Sequence, residues 1–358
     1  MSNKVTQLAR AELIDMVPYQ SARRLQAGEG VFNEKIWLNA NESPGDGHYQ
    51  LNSQCVNRYP DFQPKNLISA YSDYAAISEQ NILATRGADE GIELLIRTFC
   101  ESYKDNILIC PPTYGMYAIS AENHGAGVIE VPLANWQLNV PDIIEKLPLC
   151  KLLFLCSPGN PTGNLLAQQD LIAVLEASEG KAIVVVDEAY IEFAPEHTMA
   201  KFIEQYPHLV VLRTLSKAFA LAGLRCGFTL ANTPVIELLS KVIAPYPIAA
   251  PVAEIASHAL DAQGIMEMEY RVNDSNQLRK SLATWLNQQT WCTGVFPSDA
   301  NFVLFRTSKK NKVFDLLLKH NILIRDQSKQ QQLADCLRIS IGSEQELDAL
   351  KAILEKEL

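Results

Sequence analysis

The chain has 358 residues, 47% of them hydrophobic and 20% charged, enough for one large core or two smaller ones. With 31 Lys and Arg against 41 Asp and Glu, the net charge is −10 and the pI near 5.2, which argues against a face built to neutralise nucleic-acid phosphates. The 8 cysteines are scattered without a C-x-x-C pair, Met1 to Arg10 is polar, and no apolar run reaches about 18 residues. The expectation is a reduced, cytoplasmic protein without signal peptide or spanning helix.

The first forty or so residues read as a loosely structured arm. From Asn81 onward, short Val, Ile and Leu runs alternate with amphipathic stretches, the pattern of a sheet fed by helical crossovers. Arg86-Gly87-Ala88-Asp89-Glu90-Gly91 opens one such stretch, Ile92 to Cys100. Leu152 to Cys156 as a strand, Gln168 to Ala177 as a helix and Ala182 to Val186 as the next strand make a βαβ unit with a right-handed crossover. Leu209 to Thr214 and Gly227 to Leu230 read as further strands, apolar on both faces as central strands must be. Two prolines in Ala244-Pro245-Tyr246-Pro247 interrupt a helical pattern and suggest a boundary. Beyond it, Pro251 to Leu260 starts a helix, and Phe302 to Phe305, Ile322 to Ile324 and Leu337 to Ile341 read as strands of a smaller α+β unit. The expected organisation is an arm over 1–40, a large α/β domain over 41–245 whose mostly parallel sheet is flanked by helices, and a small α+β domain over 246–358.

Ligands in open α/β sheets sit beyond the carboxyl ends of the strands, and unusual segments follow three of them. Lys217, after an apolar strand and beside Ser216, with Arg225 eight residues on, meets the needs of an amine that must be neutral to attack an aldehyde: partial desolvation and nearby positive charge. A lone lysine is ordinarily a surface charge, so its neighbours carry the argument. Asp187 ends a strand where an unpaired carboxylate is costly to bury; it is either a turn or capping residue or the partner of a protonated ring nitrogen. Tyr190 and Asn160 are placed to reach a ring oxygen. Gly87 before a helix start lets backbone N–H groups face an anion, though glycine there is more often ordinary punctuation. Ser216 and Arg225 add a hydroxyl and a guanidinium, and Tyr114 offers a ring for stacking or for core packing.

Five segments in order, Arg86 to Glu90, Pro111 to Tyr114, Asn160 to Gly163, Asp187 to Tyr190 and Thr214 to Gly227, resemble the fold type I aminotransferases and, more narrowly, the histidinol-phosphate aminotransferase family. The match runs from Pro18-Tyr19 to Cys336-Leu337-Arg338. The resemblance implies pyridoxal 5′-phosphate as cofactor, carried by Lys217, with Asp187 at the ring nitrogen, Asn160 and Tyr190 at the ring oxygen, and Tyr114 stacked on the ring. Ala88, Asp89, Ser216 and Arg225 would hold its phosphate. Tyr59 would reach the cofactor phosphate of the other subunit, which implies a homodimer with shared sites. Arg325 and Arg338, with Tyr19, Tyr59 and Asn160, would bind a phosphorylated substrate. Histidinol phosphate would then be the amine donor, 2-oxoglutarate the acceptor and glutamate a product. One departure is Gly159, where many relatives have Asn, with a changed loop turn as the expected result.

Within the same fold, the alternatives are a threonine-phosphate decarboxylase or an aromatic amino-acid aminotransferase, since cofactor contacts are common to all of them. A nucleotide site is excluded because Gly125-Ala126-Gly127 lacks a third glycine and no G-x-x-x-x-G-K-[ST] occurs. No H-E-x-x-H or paired histidine spacing supports a zinc site.

Overall fold

The computed structural model describes residues 35–44 and 57–358. Strand β1 (Ile36–Trp37) is followed by the strands of a seven-stranded sheet: β2 (Ile82–Thr85), β3 (Asn106–Ile109), β4 (Gly127–Glu130), β5 (Leu152–Cys156), β6 (Ile183–Asp187), β7 (Leu209–Thr214) and β8 (Gly227–Ala231). The sheet order is β2-β8-β7-β6-β5-β3-β4. The β4-β3-β5-β6-β7 pairings are parallel, and β8 alone runs against both neighbours. Side chains alternate along each strand, as the pleat requires. Val184 and Val186 enter one core with Leu153, Leu155 and Val211, whereas Val185 enters a second with Phe154, Val210 and Leu212. Helices cover both faces, which is why these strands carry no polar side.

The sheet's carboxyl edge positions the site. Strands β2, β3, β5, β6 and β7 end there, and the reversed β8 begins there. The helix Ala88–Phe99 starts at this edge after Gly87, whose φ is +77°. The positive φ favours glycine there, and a Cβ would lie 2.8 Å from Arg225 Nη2 and push that guanidinium aside.

A second sheet runs β12 (Arg325–Asp326), β13 (Cys336–Ser340), β10 (Phe302–Thr307) and β9 (Cys292–Val295), all antiparallel. Its core gathers Val303, Phe305, Leu337 and Ile339 with Leu282 and Leu286 of the helix Ala262–Asn287 and with Leu347, Leu350 and Leu354 of the helix Glu344–Glu357. The latter helix is started by a capping box between Ser343 and Glu346. The apolar run at Ile322–Ile324 does not join this sheet. It is β11 (Ile322–Leu323), parallel to β1, because the sheet edge is taken by the next residues, Arg325 and Asp326. The helix Ala250–Ala259 places Ala256 and Ala259 in the large-sheet core, beside Ile248 and Leu260.

Between the two sheets runs a strap of residues 38–43. Leu38 donates its N–H to Leu323 O (2.9 Å) and accepts at its carbonyl from Ser340 N (2.9 Å). Ser43 Oγ donates to Lys217 O at 2.6 Å, so the strap also reaches the segment that follows β7.

Candidate active site

A cavity of about 540 Å³ opens between the sheet edge, the strap and the second sheet. Its walls include Ala88, Asp89, Tyr114, Asn160, Asp187, Tyr190, Ser216, Lys217, Arg225, Arg325 and Arg338. These positions span 250 residues of sequence, and the strand ends alone bring most of them together.

Lys217 Nζ donates to the Ala40 carbonyl at 3.1 Å and lies 5.7 Å from the centroid of the Tyr190 ring. Burial, helped by the Arg338 guanidinium, pulls its pKa down to about 8, which raises the neutral fraction near pH 7 to about a tenth. Asp187 is buried at the end of β6. Tyr117 Oη donates to its Oδ2 at 2.7 Å and Ala189 N–H to its Oδ1 at 3.1 Å. Burial pushes its carboxyl up to about 6, opposed by those two donors, which leaves it ionised at neutral pH with a strong demand for a cation.

Tyr190 Oη accepts from Asn41 Nδ2 (3.0 Å) and Asn160 Nδ2 (3.2 Å). Arg338 Nη1 donates to Asn160 Oδ1 at 2.6 Å, and Nη2 to Asn39 O at 3.2 Å. At the other end of the cavity, Arg225 Nη1 reaches Ser216 Oγ at 3.4 Å beside the start of the helix Ala88–Phe99. A hydroxyl, a guanidinium and the first N–H groups of a helix form a site for a phosphate. The Asp89 carboxylate takes Arg225 Nη2 (3.3 Å) and Tyr114 Oη (3.0 Å). An anion can therefore be met by the main-chain N–H of Asp89 and not by its side chain.

The donor set fits pyridoxal phosphate group by group: a desolvated amine for the aldehyde, a buried carboxylate for the ring nitrogen, neutral donors for the ring oxygen, and a cationic pocket for the phosphate. Tyr59 lies outside the cavity, 81% exposed and stacked on Tyr246 with centroids 4.4 Å apart. Tyr19 falls outside the described residues. Asp326 pairs with Lys310 at 2.9 Å. The backbone at Gly159 is not left-handed. This residue is kept small by Thr162, whose Oγ1 would lie 2.6 Å from an added Cβ. Sequence reasoning missed Asn41, Tyr117, Gln327 and Gln330, which line or support the cavity. The polar run Asn39 to Ser43 directly after an apolar strand was a usable signal for the first; a buried tyrosine on a helix gave none. Among the described residues no group of His, Cys, Asp and Glu is placed to hold a metal ion, and no helix is long and apolar enough to cross a membrane.

The family model for aminotransferase class I and II matches residues 33–354. A histidinol-phosphate aminotransferase of Colwellia psychrerythraea is 60% identical over 98% of this chain and 99% of its own length. The crystal structure of the histidinol-phosphate aminotransferase from Clostridium acetobutylicum superposes with a TM-score of 0.81 at 28% identity, covering 90% of this chain and 100% of that one. That of the Sinorhizobium meliloti histidinol-phosphate aminotransferase in complex with pyridoxal-5′-phosphate gives 0.84 at 22% identity, covering 97% and 96%, and shares the fold. The chain belongs to the class I and II aminotransferases, pyridoxal-phosphate-dependent enzymes, and within them to the histidinol-phosphate aminotransferase family.

Proposed function

We propose that this aminotransferase moves the amine of L-histidinol phosphate to 2-oxoglutarate, giving imidazole-acetol phosphate and L-glutamate, a step of histidine biosynthesis. One observation carries the substrate reading. Arg325 and Arg338 are direct cross-strand partners on β12 and β13, and both line the cavity. Like charges opposite one another on a sheet repel, so the pair suits a site completed by a dianion. Guanidinium forks match phosphate geometry, and the Asn160 and Asn39 oxygens that hold Arg338 are neutral.

When bound, pyridoxal phosphate supplies an aldehyde that joins the amine and a protonated ring that takes up the electron pair left when a proton is removed. The chain supplies the rest. Ser216, Arg225 and the helix start at Ala88 and Asp89 would hold the phosphate, and Tyr114 would lie beside the ring. Asp187 holds a proton on the ring nitrogen, and Tyr190 and Asn160 hold the ring oxygen. Arg325 and Arg338 orient the substrate so that its amine-bearing carbon faces Lys217. Lys217 Nζ, its pKa lowered by burial, removes the proton from that carbon in its neutral form and then acts as general acid. The same residues serve glutamate and 2-oxoglutarate in the return half-reaction.

The enzyme acts as a homodimer in which Tyr59 of one chain completes the other's site. The exposure of Tyr59 and its stacking on Tyr246, away from its own cavity, support this. Its place is the cytoplasm, where the free thiols of Cys100, Cys110 and Cys226 stay reduced.

The test is amine transfer to 2-oxoglutarate from histidinol phosphate, histidinol and aromatic amino acids, alongside carbon dioxide release from phosphothreonine. Histidinol phosphate should exceed unphosphorylated histidinol in kcat/KM by about 10³-fold, because a site built for an anion rejects the analogue without it. Faster decarboxylation of phosphothreonine, or equal use of histidinol, overturns the assignment.

A further inference from the structure

Asn41 sits where the strap crosses from one domain to the other, fully buried, with a left-handed φ of 54° that asparagine tolerates better than most residues. Its N–H donates to Ser340 Oγ at 2.8 Å, and Ser340 Oγ donates to Asn41 Oδ1 at 3.1 Å. Asn301 Nδ2 donates to the Asn41 carbonyl at 3.0 Å, and Asn41 Nδ2 donates to Tyr190 Oη at 3.0 Å.

These bonds fix which end of the amide faces Tyr190. A serine hydroxyl has one proton. Ser340 Oγ accepts from the Asn41 N–H and gives its own proton to Oδ1, which leaves Nδ2 toward the phenol. Asn160 is fixed the same way. Arg338 has no acceptor and takes its Oδ1 at 2.6 Å, leaving Nδ2 toward Tyr190 Oη at 3.2 Å. Both amide donors converge on the phenol oxygen and fill its acceptor positions. The phenol's own proton is left to point into the cavity that Tyr190 lines.

We propose that Asn41 is a positioning residue that makes Tyr190 a one-way hydrogen-bond donor into the cavity, with Ser340 setting the polarity of Asn41 from the small domain. This rests on the reading of the cavity as the pyridoxal phosphate site with Tyr190 at the ring oxygen. A donor-only phenol stabilises negative charge on that oxygen, whereas a phenol free to rotate spends its proton elsewhere. Ser340 also follows Arg338 by two residues on β13, so the substrate anion and the ring oxygen are held from one rigid strand.

Two variants test it. Asn41→Asp keeps the shape but replaces the donor by an acceptor, which draws the Tyr190 proton away from the cavity. Ser340→Ala leaves Asn41 in place and releases its amide to turn. For Asn41→Asp, the dissociation constant of pyridoxal phosphate from the apoenzyme should rise about tenfold, and the pH midpoint of the bound cofactor's visible absorption should move up by about one unit. Ser340→Ala should shift the midpoint in the same direction by less. A purely structural role would lower stability and leave the midpoint unmoved, and an unshifted midpoint in both folded variants overturns the proposal. If Asn41→Asp does not fold, Ser340→Ala decides alone. Wild-type protein that takes up no cofactor would instead overturn the underlying site reading, and this inference with it.

Discussion

Asp187 and Glu188 are consecutive buried carboxylates at the end of β6, and their surroundings differ completely. Glu188 is closed in by its own chain: Arg213 Nε at 2.8 Å, Thr198 Oγ1 at 2.9 Å and the Met199 N–H. Glu192 lies 3.5 Å from the same guanidinium, and burial pushes its carboxyl up to about 7. Among the described residues Asp187 receives a phenol and a backbone N–H, neutral donors that steady a carboxylate without neutralising it. The alternation of a strand sends the two side chains to opposite faces, one into a finished ion cluster and one into a cavity. A buried charge with an internal cation serves the fold, and one without serves whatever cation arrives.

The sharpest break is at Lys217. Lys217→Ala removes both the attachment point and the general base, and turnover should fall by at least about 10⁴-fold while the apoprotein still binds pyridoxal phosphate through Ser216, Arg225 and Asp187. Near-normal transamination by this variant would remove the central role given to the lysine. Next comes the closed cluster. Arg213→Met leaves Glu188 and Glu192 buried beside each other without their cation, at a cost of about 3–5 kcal/mol. Thermal unfolding should drop by several degrees, with turnover per folded molecule unchanged. A loss of turnover without a loss of stability would mean that the two regions are not separate.

Asp187→Asn should move function and stability in opposite directions. A carboxyl whose folded pKa of about 6 exceeds its unfolded value of 3.8 holds its proton more tightly in the folded state. It therefore favours folding only below about pH 4 and subtracts from stability as pH rises through 6. In the apoprotein the amide should add up to about 3 kcal/mol at neutral pH and nothing at pH 4, while turnover of the loaded enzyme falls about 10²- to 10³-fold. A melting temperature that rises equally at both pH values would show that desolvation of Asp187 is not the cause.

Much of the cofactor half of this contrast was legible in the sequence. Asp187 and Lys217 follow unbroken apolar strands, and the strand pattern alone puts such residues at one edge of a sheet. The closed half was not. Nothing local distinguishes Glu188 from a solvated acid, because its partner Arg213 is 25 residues away and its hydroxyl partner Thr198 lies in an irregular segment. The bonds between Asn41 and Ser340 cross 299 residues, a distance no periodicity reports. The same limit explains β11, whose apolar residues announced a strand but not that its neighbour would be β1, nearly the whole chain away.

The reversed direction of β8 has a consequence for how the enzyme can vary. Because β8 returns directly beside β7, Ser216, Lys217 and Arg225 all fall within residues 215–226. A parallel strand there would need its own crossover and would deliver the arginine to the far edge of the sheet, about 16 Å away. The amine and two of its phosphate-holding companions therefore lie on one short segment. Ser216 and Lys217 are set by the end of β7 and Arg225 by the start of β8, so the loop between them can change in length while each stays at the strand end that holds it.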